Sequence, residues 1–154
     1  MLQAADRTRI GIRDPQSSDE AAWRVLWAAY LVFYKVDVPE HVTAKTWARI
    51  MDPLERLSMR VAVVDDRMAG FAVHHHHDTS WDVRPACYLE DLFVDESIRG
   101  FGIGRALIDD LKAICVEKGF GRLYWHTEHD NHRARALYDS YADESGMVCY
   151  NIRL

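Results

Sequence analysis

Tyr88-Leu89-Glu90-Asp91-Leu92-Phe93-Val94, followed by Arg99-Gly100-Phe101-Gly102-Ile103-Gly104, decides how this chain folds. Residues 86–94 are rich in aromatic and branched side chains and read as a strand. After the glycines, Ile103, Leu107, Leu111 and Ile114 form an apolar stripe opposite Arg105, Asp109, Lys112 and Glu117, the mark of an amphipathic helix. Gly119 supplies its C-terminal stop. A strand that enters closely spaced glycines and then a helix is a recurring way to hold phosphate. Glycine lets the backbone approach the ligand, and the first helical N–H groups are unpaired and favour an anion. The dinucleotide fingerprint fails here, because the last glycine of G-x-G-x-x-G, counted from Gly100, is Arg105. A P-loop fails too, since no Gly-Lys-Ser/Thr follows. What remains is R-x-x-G-x-G from Arg99 to Gly104, whose bland alternative is a glycine-rich turn with no ligand.

Outward from this centre, residues 8–13 alternate around Ile10 and Ile12 as a first strand, broken by Asp14-Pro15. Ser17 or Ser18 caps a helix whose Trp23, Leu26, Trp27, Tyr30, Leu31 and Tyr34 share one face. A second helix is expected over 43–51. Residues 60–64 and 68–77 read as two strands joined by a tight turn at Asp65-Asp66-Arg67. Beyond the glycine-led helix come a strand at 122–126, a short helix from Asn131 to about Tyr141, and a last strand over 147–154. No internal repeat, low-complexity linker or long charge block interrupts the chain, so residues 1–154 are read as one α/β domain with a single crossover unit.

The 154 residues are 49% hydrophobic and 28% charged, an ordinary globular composition. Apolar runs are strand-sized, too short to span a bilayer, and residues 1–13 lack the apolar segment of a signal peptide. No membrane association and a cytoplasmic location are therefore expected. Cys87, Cys115 and Cys149 are odd in number and widely spaced, which argues against a disulfide framework and a thiolate zinc site. A net charge of −5 makes nucleic acid an unsuitable partner.

The opening Tyr-Leu-Glu-Asp joined to Arg-Gly-Phe-Gly-Ile-Gly resembles the central motif of the GNAT superfamily of N-acetyltransferases. It is most similar to the polyamine (spermidine/spermine) branch, and also to small amine, histone-tail and D-amino-acid acetyltransferases. A second family block matches at Trp125-His126-Thr127, Asn131 and Ala136-Leu137-Tyr138. The resemblance runs from about Met68 to Tyr141. It implies a mixed, mostly antiparallel sheet flanked by helices, with a splayed central strand. It also implies acetyl-CoA as co-substrate and direct transfer to a small-molecule amine, with homodimers frequent among relatives. By the same resemblance, Leu92, Phe93 and Val94 pair with pantetheine, and main-chain N–H groups of Arg99, Gly100, Phe101, Gly102, Ile103 and Gly104 hold the pyrophosphate. Arg105 follows at the helix start, Asn131 touches the cofactor arm, and Tyr138 lies near the thioester sulfur. Glu90 is implied as the acid that orders a water relaying the amine's proton. One departure stands out: after the motif tyrosine, residues 141–146 are longer and more polar than the compact Gly-Phe turn of many relatives.

The chemistry asks for these residue types. An alkylammonium has a pKa near roughly 10.4, so exposing its lone pair at pH 7 costs about 4.6 kcal/mol. A carboxylate must take that proton, directly or through water, and Glu90 suits the role. A phenol with pKa near roughly 10 can protonate a departing thiolate, the role suited to Tyr138. Main-chain N–H groups near 92–94 would stabilise the developing oxyanion. Trp81, Asp82 and Asp91 offer an aromatic face and carboxylates for an alkylammonium acceptor. His74 to His77 invite a metal, but successive strand residues face opposite ways, so the four cannot converge and no metal is expected. The rival readings are a protein or peptide lysine acetyltransferase and a non-catalytic acyl-CoA-binding module.

Overall fold

The computed structural model describes residues 9–154; the expected start of the first strand at Thr8, and the first eight of the residues 1–13 read as lacking a signal peptide, lie outside them. The elements are β1 (Ile10–Arg13), α1 (Glu20–Tyr34), α2 (Glu40–Met51), β2 (Ser58–Val64), β3 (Arg67–His77), β4 (Ala86–Val94), α3 (Ile103–Glu117), β5 (Arg122–Trp125) and α4 (His132–Tyr138). The strands form one sheet in the order β1-β2-β3-β4-β5, antiparallel throughout except for the parallel β4–β5 pair. The β2–β3 hairpin turns on Asp65 and Asp66, both at positive φ (48° and 61°), as a two-residue turn between twisted strands requires.

Two apolar layers hold the sheet. On one side α1 and α2 place Trp23, Trp27, Trp47 and Ile50 against Met59, Val61, Phe71 and Phe93. On the other side Ile103, Leu107, Ile108 and Leu111 of α3 cover Ala62, Ala72, Cys87 and Leu89. Helix α3 is fixed to the sheet by the forked contact of Arg60 on Asp110, at 2.7 and 3.1 Å.

Two features position the site. The first is a splay: β5 pairs with β4 only from Ala86 to Leu89, so Glu90 to Val94 run on with an unpaired edge. The second is a bulge. Val73 lies opposite Asp91 and His74 opposite Leu89, which leaves Glu90 as the extra residue.

Four expectations need correction. Neither Ser17 nor Ser18 caps the first helix; both lie in a short 3-10 turn, and α1 begins at Glu20 after Asp19. Helix α2 begins at Glu40, directly after Pro39, rather than at Thr43; proline's fixed φ suits a helix entrance. Helix α4 ends at Tyr138, not Tyr141. Residues 147–154 form no strand, and Val148, Tyr150, Ile152 and Leu154 are exposed. Their alternation is real, but a strand exists only with a ladder partner.

Candidate active site

Where β4 and β5 part, a cleft of about 770 Å³ opens. Its floor is Leu92, Phe93 and Val94, and the turn from Arg99 through Gly104 with Arg105 closes one end. Helix α4 supplies the opposite wall with Asn131, Leu137 and Tyr138. Of the cofactor residues expected from sequence, all but Phe101 line this cleft; Phe101 is exposed beside it.

The turn is built for an anion. Gly102 caps α3 at φ 82°, in the left-handed region, and Gly100 sits at φ 91°. No side chain caps α3 and its first turn holds no acid, so its leading N–H groups face the cleft without a competing anion. Gly104 serves packing instead. A Cβ there would meet Leu137 Cδ2 at 3.3 Å, so its absence lets α4 approach α3. In a chain of net charge −5, Lys35, Arg99, Arg105 and Arg133 gather at this cleft, against Glu128 and Asp130. These residues fit a CoA pyrophosphate. Gly102→Ala is expected to cost about 1 kcal/mol in urea unfolding, from the strain of positive φ. Calorimetry should also show weaker acetyl-CoA binding.

Several side chains are already engaged. Arg99 Nε donates to the Val94 carbonyl at 3.2 Å, and its guanidinium packs over Phe33 and Phe93. Arg105 lies over the Tyr141 ring and donates to Ser140 Oγ at 2.9 Å. Asn131 caps α4, accepting from the Ala134 N–H at 3.3 Å and donating to Thr127 Oγ1 at 3.2 Å. Tyr138 packs edge-on to Trp125, with ring centroids 5.3 Å apart. Burial, then the nearby Tyr34, pushes its phenol up to about 12, so it stays protonated at neutral pH.

The two carboxylates of the bulge project toward α1. Glu90 is half-exposed and lies 3.4 Å from His75 Nε2. Asp91 is more deeply set and accepts a hydrogen bond from the Tyr30 hydroxyl at 2.5 Å. Burial pushes the Asp91 carboxyl up to about 6; Tyr30's hydrogen bond opposes the shift and Glu90's charge adds to it. The histidine run divides between the faces as strand alternation demands. His74 is buried, and burial pushes it down to about 4, so it is neutral at pH 7. His76 stacks on Phe120, while His75 and His77 lie beside Tyr88 and Tyr124 on the opposite face.

Trp81 and Asp82 are not brought to the cleft. They line a separate hollow in the β3–β4 loop, where Arg84 grips Asp82 at 2.7 Å and holds its carboxyl near 2. An acid already paired with arginine is a poor ligand for another cation. Sequence reasoning missed the C-terminal end of α1, which brings Phe33, Tyr34 and Lys35 to the cleft. Tyr34 lies on the Tyr30 ring at 4.9 Å and close to Asn131, linking the bulge to the α4 wall.

Comparison with known proteins agrees with this geometry. Residues 20–142 match the model of the acetyltransferase (GNAT) family. The D-amino-acid N-acetyltransferase HPA3 of Saccharomyces cerevisiae is 38% identical over 92% of this chain and 89% of its own length. The uncharacterized N-acetyltransferase YhfO of Bacillus subtilis is 27% identical over 92% of this chain and 95% of its own. In fold, the aminoglycoside acetyltransferase AAC(6')-Iy, solved with a CoA bisubstrate analogue, superposes with a TM-score of 0.82 at 21% identity, covering 96% of this chain and 99% of that one. The chain shares this overall fold with solved acetyltransferases, and by its match over residues 20–142 and its 38% identity to HPA3 it is a member of the GNAT family, an acetyl-CoA-dependent acyltransferase.

Proposed function

We propose that this chain acetylates the primary amine of a small, amino-acid-like molecule, with a D-amino acid as the first acceptor to try and polyamines as the second. The observation that carries the reading is the bulge, which sets Glu90 and Asp91 side by side on the face reached from α1. Two adjacent carboxylates, one half-exposed and one desolvated, suit an alkylammonium that must be both held and deprotonated. The D-amino-acid acceptor is supported by the 38% identity to HPA3 over most of both chains.

Acetyl-CoA supplies the acyl group as a thioester. Main-chain N–H groups at the start of α3 hold its pyrophosphate, helped by the basic residues at the cleft. The free edge at Leu92 to Val94 pairs with its pantetheine arm and presents N–H groups to the carbonyl oxygen. Glu90 orders the water through which the acceptor's proton leaves, and Tyr138 protonates the sulfur. Asn131 steadies the arm from the α4 side.

The test is thiol release from acetyl-CoA, followed with a thiol reagent across D- and L-amino acids, polyamines and basic peptides. D-amino acids or polyamines are expected to give release that saturates with acceptor. Release with basic peptides alone would overturn the small-molecule assignment.

A further inference from the structure

The bulge does more than offset β4. Without it, Asp91 would follow strand alternation onto the α3 face, with Leu89. With it, Asp91 shares the α1 face with Glu90 and meets the Tyr30 hydroxyl at 2.5 Å. Tyr30 is itself tightly placed, stacked on Trp27 at 5.3 Å and met by Phe71 and Phe93 at 6.2 and 6.0 Å. Asp91 makes no ion pair among the described residues. Its Oδ1 is held by Tyr30, whereas Oδ2 has no protein donor among those residues yet is not sealed from solvent. A desolvated carboxylate with one oxygen fixed and the other open is arranged to receive a proton.

We propose that Asp91 is the terminal proton acceptor of the transfer, that Tyr30 is its positioning residue, and that Glu90 holds the water between the acceptor nitrogen and Asp91 Oδ2. This assignment rests on the acetyl-transfer reading above. The acceptor arrives as an ammonium. One N–H bond breaks and its proton crosses the water to Asp91, leaving the lone pair that forms the N–C bond. As the C–S bond breaks, Tyr138 gives its proton to sulfur and regains one from the second N–H of the nitrogen. Asp91 then returns its proton to solvent, so each turnover releases one.

The surroundings of Asp91 suit this role. The titratable groups facing it are Tyr30 and Tyr34 from α1 and Glu90 and Tyr88 on its own strand, with His75 of β3 behind Glu90 and apolar Val73 opposite. None supplies a fixed positive charge. A carboxyl raised from 3.8 to about 6 accepts a proton about a hundredfold more readily than an ordinary one and is still ionised at pH 7.

The pH profile of kcat/KM, measured by thiol release with the most active D-amino acid or polyamine, tests this. The wild type is expected to lose activity below about pH 6 as Asp91 protonates. Tyr30→Phe removes the hydrogen bond that favours the carboxylate and should move the limb to higher pH. Glu90→Gln removes the neighbouring charge that disfavours it and should move the limb to lower pH, with roughly a tenfold lower rate. Asp91→Asn should lose the limb and about 10²- to 10⁴-fold in rate, without a fall in melting temperature at pH 7. If Asp91→Asn does not fold, the opposite shifts in the other two variants decide the matter. An active wild type with Asp91→Asn within threefold of it, or limbs unmoved by both neighbours, overturns the role of Asp91 alone. No thiol release from the wild type with any acceptor defeats the transfer reaction and this role with it.

Discussion

Tyr138→Phe is expected to lower kcat by about 10²- to 10³-fold while leaving the acetyl-CoA dissociation constant within about threefold. The split follows from where the side chain sits. Its ring closes the α4 side of the cleft against Trp125, and phenylalanine keeps that packing. What is lost is the hydroxyl, the group proposed to protonate the departing sulfur. Because burial holds the phenol near 12, the wild-type residue is protonated throughout pH 6 to 9. The loss in the variant should therefore be the same at every pH in that window. Thiol-release kinetics paired with calorimetric titration of acetyl-CoA checks both halves. A kcat within threefold of wild type would make Tyr138 a wall residue only.

The largest effect on stability is expected at Trp23. It is fully buried, stacked on Trp27 at 5.5 Å and tilted against Trp47 at 5.2 Å, so it joins α1 to α2 above the sheet. Trp23→Ala should cost about 3 to 5 kcal/mol in urea unfolding, combining lost burial with the cavity left behind. Its Nε1 is buried without a hydrogen-bond partner, an unfavourable state for a polar group. Trp23→Phe removes that orphan donor along with part of the ring, so the two effects oppose. Its cost should stay under about 2 kcal/mol. A loss for Trp23→Phe well above about 2 kcal/mol would show that the indole N–H makes a hydrogen bond in the folded protein.

Much of this architecture is legible in the chain because it rests on local rules. The α3 stripe needs a 3.6-residue period, and the hairpin needs residues that tolerate positive φ, which Asp65 and Asp66 provide. The turn into α3 needs a glycine at 102, where φ is 82°. The histidine run splits between faces because strands alternate.

What stays hidden is non-local. A one-residue bulge leaves no mark in composition or period, yet it decides that Asp91 faces Tyr30 rather than the α3 core. The contribution of Tyr34 and Lys35 depends on where α1 ends in space, far in sequence from the glycine turn. Residues 147–154 carry a strand's alternation without a strand's partner. The pairing of Asp82 with Arg84 was the one clue present locally, since an aspartate two residues before arginine readily closes on it.

Acetyl is expected to pass from acetyl-CoA to the acceptor nitrogen without stopping on the protein. Acetyl-labelled acetyl-CoA and a D-amino acid, with mass spectrometry of both the small-molecule product and the intact chain, follow that path. One N-acetylated product for each thiol released, on an unlabelled protein, is the predicted result. Label that stays on the chain, or thiol released without an N-acetylated product, would contradict it.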